Sequence, residues 1–186
     1  MESEPPNARV SESSLQRSLR RIPLPLRVGF YYLVFLTLIL WIVPSLAHAA
    51  GLRWLPWRPD FGAARPFGWL LFGVCFVLYT ASSIVLTSRG RGAYVEFDPP
   101  TEFVASGPYR WCRNPIAACV LGMLLGLGIA FSSAGILVFF ALGLALAHAQ
   151  VVLLEEPLLR RRFGRRYEEY CRRVPRWLPR PPRDAA

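Results

Sequence analysis

Three long stretches without a charged side chain alternate with arginine-rich ones: Val28 to Leu52 (25 residues), Pro66 to Ser88 (23 residues) and Asn114 to Leu154 (41 residues). About 20 apolar residues in a helix cross a bilayer core, so each of the first two runs predicts one crossing. The third would make a rod of roughly 60 Å and must fold back. Ser132-Ser133-Ala134-Gly135 is the place for the hinge. The pattern predicts an all-α integral membrane protein with four transmembrane helices, approximately 28–50, 66–88, 115–131 and 134–154. A soluble core is the poorer reading, because the chain lacks the polar-faced segments that would wrap helices apolar on every side.

Beyond the fourth helix the pattern changes. Leu159, Phe163, Tyr167, Tyr170 and Val174 repeat at helical spacing with arginines between them. This predicts a C-terminal amphipathic helix on the membrane interface, closed by Val174-Pro175-Arg176-Trp177-Leu178-Pro179. Small residues recur every fourth position in the third helix (Ala118, Gly122, Gly126, Ala130) and in the fourth (Ala141, Ala145, Ala149). Such stripes let helix backbones approach closely, and helix packing is their expected use.

Charge adds a direction. The 186 residues are 53% hydrophobic with formal charge +10, and all 22 basic residues are arginine. With four crossings, 19 arginines fall on the side shared by the termini and the second loop, against Arg53, Arg58 and Arg65 opposite. The positive-inside rule then puts both termini in the cytoplasm, and arginine-only basic composition hints at a bacterial inner membrane. The surplus charge reads as topology and lipid attraction; no nucleic-acid recognition motif or basic stripe lies away from the membrane flanks. Ala47-His48-Ala49 resembles a signal-peptidase site. The apolar run before it is too long for a signal core, and 27 residues including Glu2, Glu4 and Glu12 precede that run, so it is read as a membrane helix. Residues 1–27 are expected to form a flexible cytoplasmic tail and 181–186 a short one, with 28–88 a two-helix unit and 89–180 a core. Cys75, Cys112, Cys119 and Cys171 form no CxxC pair, so no metal site or disulfide framework is expected.

Two polar concentrations stand at the feet of the hairpin. In "RWCRNPIAACVLG" (110–122), Asn114 and Pro115 suit a helix cap, Asn114 accepting from orphan amides and Pro115 at the first helical position. The cap leaves Arg110 and Arg113 unexplained. Glu155 and Glu156 end the last apolar run, where burial at mid-membrane would cost about 2.5–3.5 kcal/mol each, so they belong at the interface. Either they start a new helix before Pro157, favoured by its dipole, or they have a functional role. His148 lies two helical turns before Glu155 and shares its face; His48 has no matching partner.

The run "FDPPTEFVASGPYRWCRNP" (97–115), a helical hairpin, and then "EEPLLRRRFGRRYEEYCRRVPRWLP" together resemble the isoprenylcysteine carboxyl methyltransferase and phospholipid methyltransferase superfamily. The resemblance covers residues 89–180 and implies a membrane enzyme that uses S-adenosylmethionine. It also implies cofactor contacts from Tyr109, Arg113, Asn114, Pro115, Glu155 and Glu156, with Arg176 and Trp177 from the closing segment. The family's aromatic and glycine after the arginine-asparagine-proline are replaced here by Ala117 and Cys119. The implied acceptor is lipophilic or small, carrying a carboxylate, amine or thiol and drawn from the membrane lipid phase. A neutral nucleophile needs a base, with Glu155 the first candidate and His148 the second, while Arg113 can orient an anionic acceptor. A scaffold that has lost the pocket, or a related membrane reductase, are the other readings.

Overall fold

A computed structural model describes residues 21–90 and 102–181. Residues 1–20 and 182–186 of the two expected tails and the start of the 97–115 motif therefore lie outside the described residues, while Leu24 to Arg27, expected in the tail, already belong to the first helix. Helix α1 runs Leu24–Trp54 and α2 Arg65–Gly90. After a short turn at Gly107–Arg110 come α3 (Pro115–Ala130), α4 (Ala134–Gln150) and α5 (Glu156–Arg173). No strand occurs among the described residues. Three helices are long and apolar enough to cross a membrane: Leu24–Trp54, Gly62–Gly90 and Ala134–Arg173. Pro115–Ala130 is a shorter apolar helix of 16 residues, about 24 Å long.

Two prolines sit inside continuous helices, and the same device admits both. A helical proline lacks the N–H for the i→i−4 bond, and its ring strikes the carbonyl four residues back. Pro44 follows a π-helical turn at Thr37–Ile42, and Pro157 follows one at Val151–Glu155. The wider turn carries the chain past the obstruction. Glu155 and Glu156 consequently do not begin a separate helix, as the dipole reading has it. They lie where a widened turn of α4 passes directly into α5.

Glycine decides where the helices meet. A Cβ on Gly68 would stand 2.6 Å from the Gly126 carbonyl oxygen and the Ala130 nitrogen, so α2 and α3 touch backbone to backbone. Gly122 leaves room for the Cys75 side chain. Further down the same seam Tyr79, Cys119 and Met123 form the buried core, with Tyr32 and Phe35 of α1 against Tyr79 at ring separations of 5.5 and 6.1 Å. Tyr32 and Thr80 share a 2.7 Å hydrogen bond across α1 and α2. At the other end of α3 the chain reverses through Ser132, at φ 48°, where the hinge is expected. Ser133 caps α4 by accepting from the Ile136 amide, and its hydroxyl bonds His48 Nδ1 at 2.8 Å. There α1 crosses α4, with Gly51 and Gly135 in backbone contact.

The two small-residue stripes part company. Gly122 and Gly126 of α3 pack on α2. On α4, burial is confined to Ala134, Gly135 and Ile136; Ala141 and Ala145 are exposed and Ala149 half-exposed. The expected packing stripe on α4 thus has no helix against it among the described residues.

The aromatic face of α5 is also placed differently from the expectation. Phe163, Tyr167 and Tyr170 surround Phe103 at ring separations of 5.2–6.1 Å, so that face covers protein instead of bilayer. Within the α5 range the backbone breaks at Gly164, φ 51° and ψ −132°, a conformation open to glycine alone.

Candidate functional site

The polar threshold of α3 and the far foot of the hairpin converge. Arg113 Nη1 donates to Glu156 Oε1 at 3.0 Å. From the closing segment, Arg176 clasps the same carboxylate with Nε at 2.6 Å and Nη2 at 3.1 Å, a two-pronged geometry suited to a planar guanidinium. Arg160, one helical turn along, adds a 3.6 Å ion pair. The Glu156 side chain is only 4% exposed, so three arginines stabilise a carboxylate that could not be buried alone. Arg176, in turn, is held more firmly protonated by its bond to Glu156.

The backbone is stitched at the same place. The Arg113 amide donates to the Pro175 carbonyl at 2.9 Å and the Arg180 amide to the Trp111 carbonyl at 3.1 Å. Cys112 Sγ lies 3.4 and 3.1 Å from the carbonyls of Arg176 and Trp177. Burial pushes the Cys112 thiol above its ordinary range, which keeps it a proton donor. Asn114 occupies the N-cap position but makes no side-chain cap. Instead its Nδ2 donates to the Arg176 carbonyl at 3.1 Å. The expected cap is therefore corrected: the side chain serves a closing segment whose carbonyls face this turn, and the Asn114 carbonyl alone opens the helix by accepting from Ala118.

Each expected site residue has a place in or beside this cluster. Tyr109 is buried, its carbonyl accepts from the Tyr170 hydroxyl at 2.7 Å, and its own hydroxyl finds no hydrogen-bond partner among the described residues. Burial, reinforced by Tyr170 and Glu155, pushes that phenol above its usual range and keeps it protonated. Pro115 is buried at the first position of α3. Glu155 is exposed, and its charge is among those that raise the Tyr109 phenol. Trp177 Nε1 donates to His148 Nδ1 at 3.1 Å, tying the closing segment to α4. A neutral His148 ring that accepts at Nδ1 carries its proton on Nε2.

Arg160, Tyr170, Cys112 and Cys171 join the cluster without having been given a site role from the sequence. Arg160 was legible as the i+4 partner of Glu156, and Cys171 as the i+4 neighbour of Tyr167. Cys171 lies 2.9 Å from Arg113 Nη1. Nothing in the spacing marks Cys112. Among the described residues no group of three or more His, Cys, Asp or Glu side chains could hold a metal ion.

The chain is similar to the nickel-cobalt-cadmium resistance protein NccN of Alcaligenes xylosoxydans xylosoxydans and to the cobalt-zinc-cadmium resistance protein CzcN of Cupriavidus metallidurans. It is 36% identical to each over 100 residues, 52% of this chain and 46% of each relative. It thus spans about half the length of the curated relatives it matches. No solved structure matches it. Residues 64–166, from the start of α2 past the Arg113–Glu156 junction, match the phospholipid methyltransferase family, and the chain belongs to that family.

Proposed function

We propose that the protein is an S-adenosylmethionine-dependent methyltransferase that modifies a lipophilic acceptor at the cytoplasmic face of a bacterial inner membrane. The observation that carries this reading is the junction of Arg113, Glu156 and Arg176, which joins the two motifs of the resemblance around one buried carboxylate. In this reading α3 is the fourth crossing, laid along α2, and α5 with the closing segment rests at the cytoplasmic interface. Both termini are then cytoplasmic, as the arginine distribution asks.

The residues present suit such a cofactor. It supplies an electrophilic methyl group on a positively charged sulfonium, together with an ammonium and a carboxylate. Glu155, an exposed carboxylate whose charge reaches Tyr109, can attract the positive groups, and the Tyr109 hydroxyl and Arg113 Nε are buried donors with bonds to give. Asn114, Pro115, Glu156, Arg176 and Trp177 hold the wall in place. A neutral amine or thiol acceptor loses its proton as its bond to the methyl carbon forms, while the old carbon–sulfur electron pair stays on sulfur. Glu155 takes that proton in preference to His148, whose Nδ1 already accepts from Trp177. An anionic acceptor needs no base and is oriented by Arg113.

The test is S-adenosylmethionine binding by the purified protein in lipid nanodiscs, with methyl transfer to extracted lipids as the second readout. Glu155→Gln and Asn114→Ala are each expected to weaken cofactor binding about tenfold, a loss of roughly 1.4 kcal/mol. Unaltered affinity in both variants overturns the site. Absence of binding by the folded parent protein favours a scaffold without catalysis.

A further inference from the structure

The Arg113–Glu156 cluster carries more positive charge than its own side chains neutralise. Arg113, Arg160 and Arg176 share the single carboxylate of Glu156. Against the outer side of Arg113 lies a cavity of about 130 Å³ lined also by Arg172, Arg173, Arg180 and Cys171, with no acidic residue in its wall among the described residues. Glu169, paired with Arg165, lines an adjoining cavity that also reaches Arg172 and Arg173, so one carboxylate faces three arginines there. The cavity abuts the C-terminal turn of α5, whose dipole supplies about half a negative charge, less than one arginine's worth. Arg113 Nε, among the most enclosed polar atoms here, has no hydrogen-bond partner among the described residues.

Arg172, Arg173 and Arg180 are exposed and Arg113 spends only Nη1 on Glu156, so what the cavity offers is convergence: several forked donors around a space for a few waters fit a tetrahedral oxyanion. We propose that this cavity is a phosphate-binding site, made by Arg113, Arg172, Arg173 and Arg180, whose occupant fastens the closing segment to the end of α5. Its place on the basic side of the molecule fits the phosphate of an anionic lipid, and inorganic phosphate offers the same chemistry. The occupant is a bound effector and not a methyl acceptor; Arg113 is the one residue shared with the methyltransferase reading, so the site is tested at Arg173 and Arg180, which that reading does not use.

Native mass spectrometry of the full chain in detergent tests it, with phosphatidylglycerol, which has no amine to methylate, as probe and phosphatidylcholine as control. At least tenfold preference for phosphatidylglycerol is expected. It should be lost in R173Q/R180Q and kept in R161Q/R162Q, which removes equal charge from α5 outside the cavity. Inorganic phosphate should displace the lipid. If phosphate binds the parent chain, but not R173Q/R180Q, while phosphatidylglycerol shows no preference, the site stands with a soluble occupant. Equal loss in both double variants, with circular dichroism showing both folded, means diffuse attraction and overturns the proposal, as does binding of neither probe.

Discussion

Helices α3 and α4 are alike on paper: consecutive, charge-free and striped with small residues every fourth position. In the structure α3 is enclosed by α2 along much of its length, whereas α4 is buried only over its first turn. The difference lies on the opposing surface. Gly126 meets Gly68, a second glycine that lets two backbones touch, and Gly122 meets Cys75, which fills the space left. On α4 the matched pair is Gly51 with Gly135, outside the alanine stripe. A small residue permits close approach, and only a complementary surface turns permission into contact.

The largest expected effect comes from filling the α2–α3 seam. A side chain at Gly126 must displace backbone, since its Cβ would lie 2.6 Å from the Gly68 oxygen and 2.9 Å from the Phe72 nitrogen. Gly126→Leu should cost more than the roughly 1–3 kcal/mol of ordinary overpacking and leave little folded protein after thermal challenge in detergent. A melt like the parent's would mean that the seam is looser than described.

Glu156→Gln comes next. It leaves Arg113, 12% exposed, and Arg176, 31% exposed, without their anion. Breaking a buried pair costs about 3–5 kcal/mol, and the part-exposed Arg176 places this case near the lower end. The closing segment should open, read as faster proteolysis after Arg176 and faster hydrogen exchange at the Arg113 amide. Unchanged exchange would show that the backbone stitches at Pro175 and Trp111 suffice alone.

Much of this architecture was legible. Uncharged run lengths gave the helices to within a few residues, and the serine-glycine hinge gave the reversal. The meeting of the two polar feet followed from the resemblance, because a hairpin returns the chain to the level at which it began. Other features depend on partners that sequence spacing does not reveal. Asn114 looks like a cap until the carbonyl of Arg176 arrives beside it, and the α5 aromatics look lipid-facing until Phe103 covers them. Which glutamate is buried was equally hidden: the widened turn before Pro157 rotates Glu156 inward and leaves Glu155 outward.

At the opposite end, Ser133→Ala removes the α4 cap and the bond to His48 together. One neutral hydrogen bond and one cap contribute about 1 kcal/mol each, partly shared here through a single oxygen, so a total near 1–2 kcal/mol is expected by chemical denaturation. His48→Ala should reproduce only part of it. Equality of the two would assign the whole effect to the interhelical bond.

The smallest effect completes the comparison with Gly126. Ala145 is exposed on α4, so Ala145→Leu adds apolar surface that no described residue obstructs. Its helix propensity changes little, and the expected shift in stability is within about 0.5 kcal/mol. The same chemical change at the same repeat spacing should therefore be severe on α3 and nearly silent on α4. A large loss at Ala145, measured with the protein in lipid, would show that this stripe is covered in the membrane by something outside the single chain. Light scattering of the parent and the variant would then identify a second copy by a change in oligomer mass. If the mass stays constant while stability falls, a tightly held lipid on the alanine stripe becomes the explanation, and the contrast between the two helices would concern what covers each one, not whether it is covered.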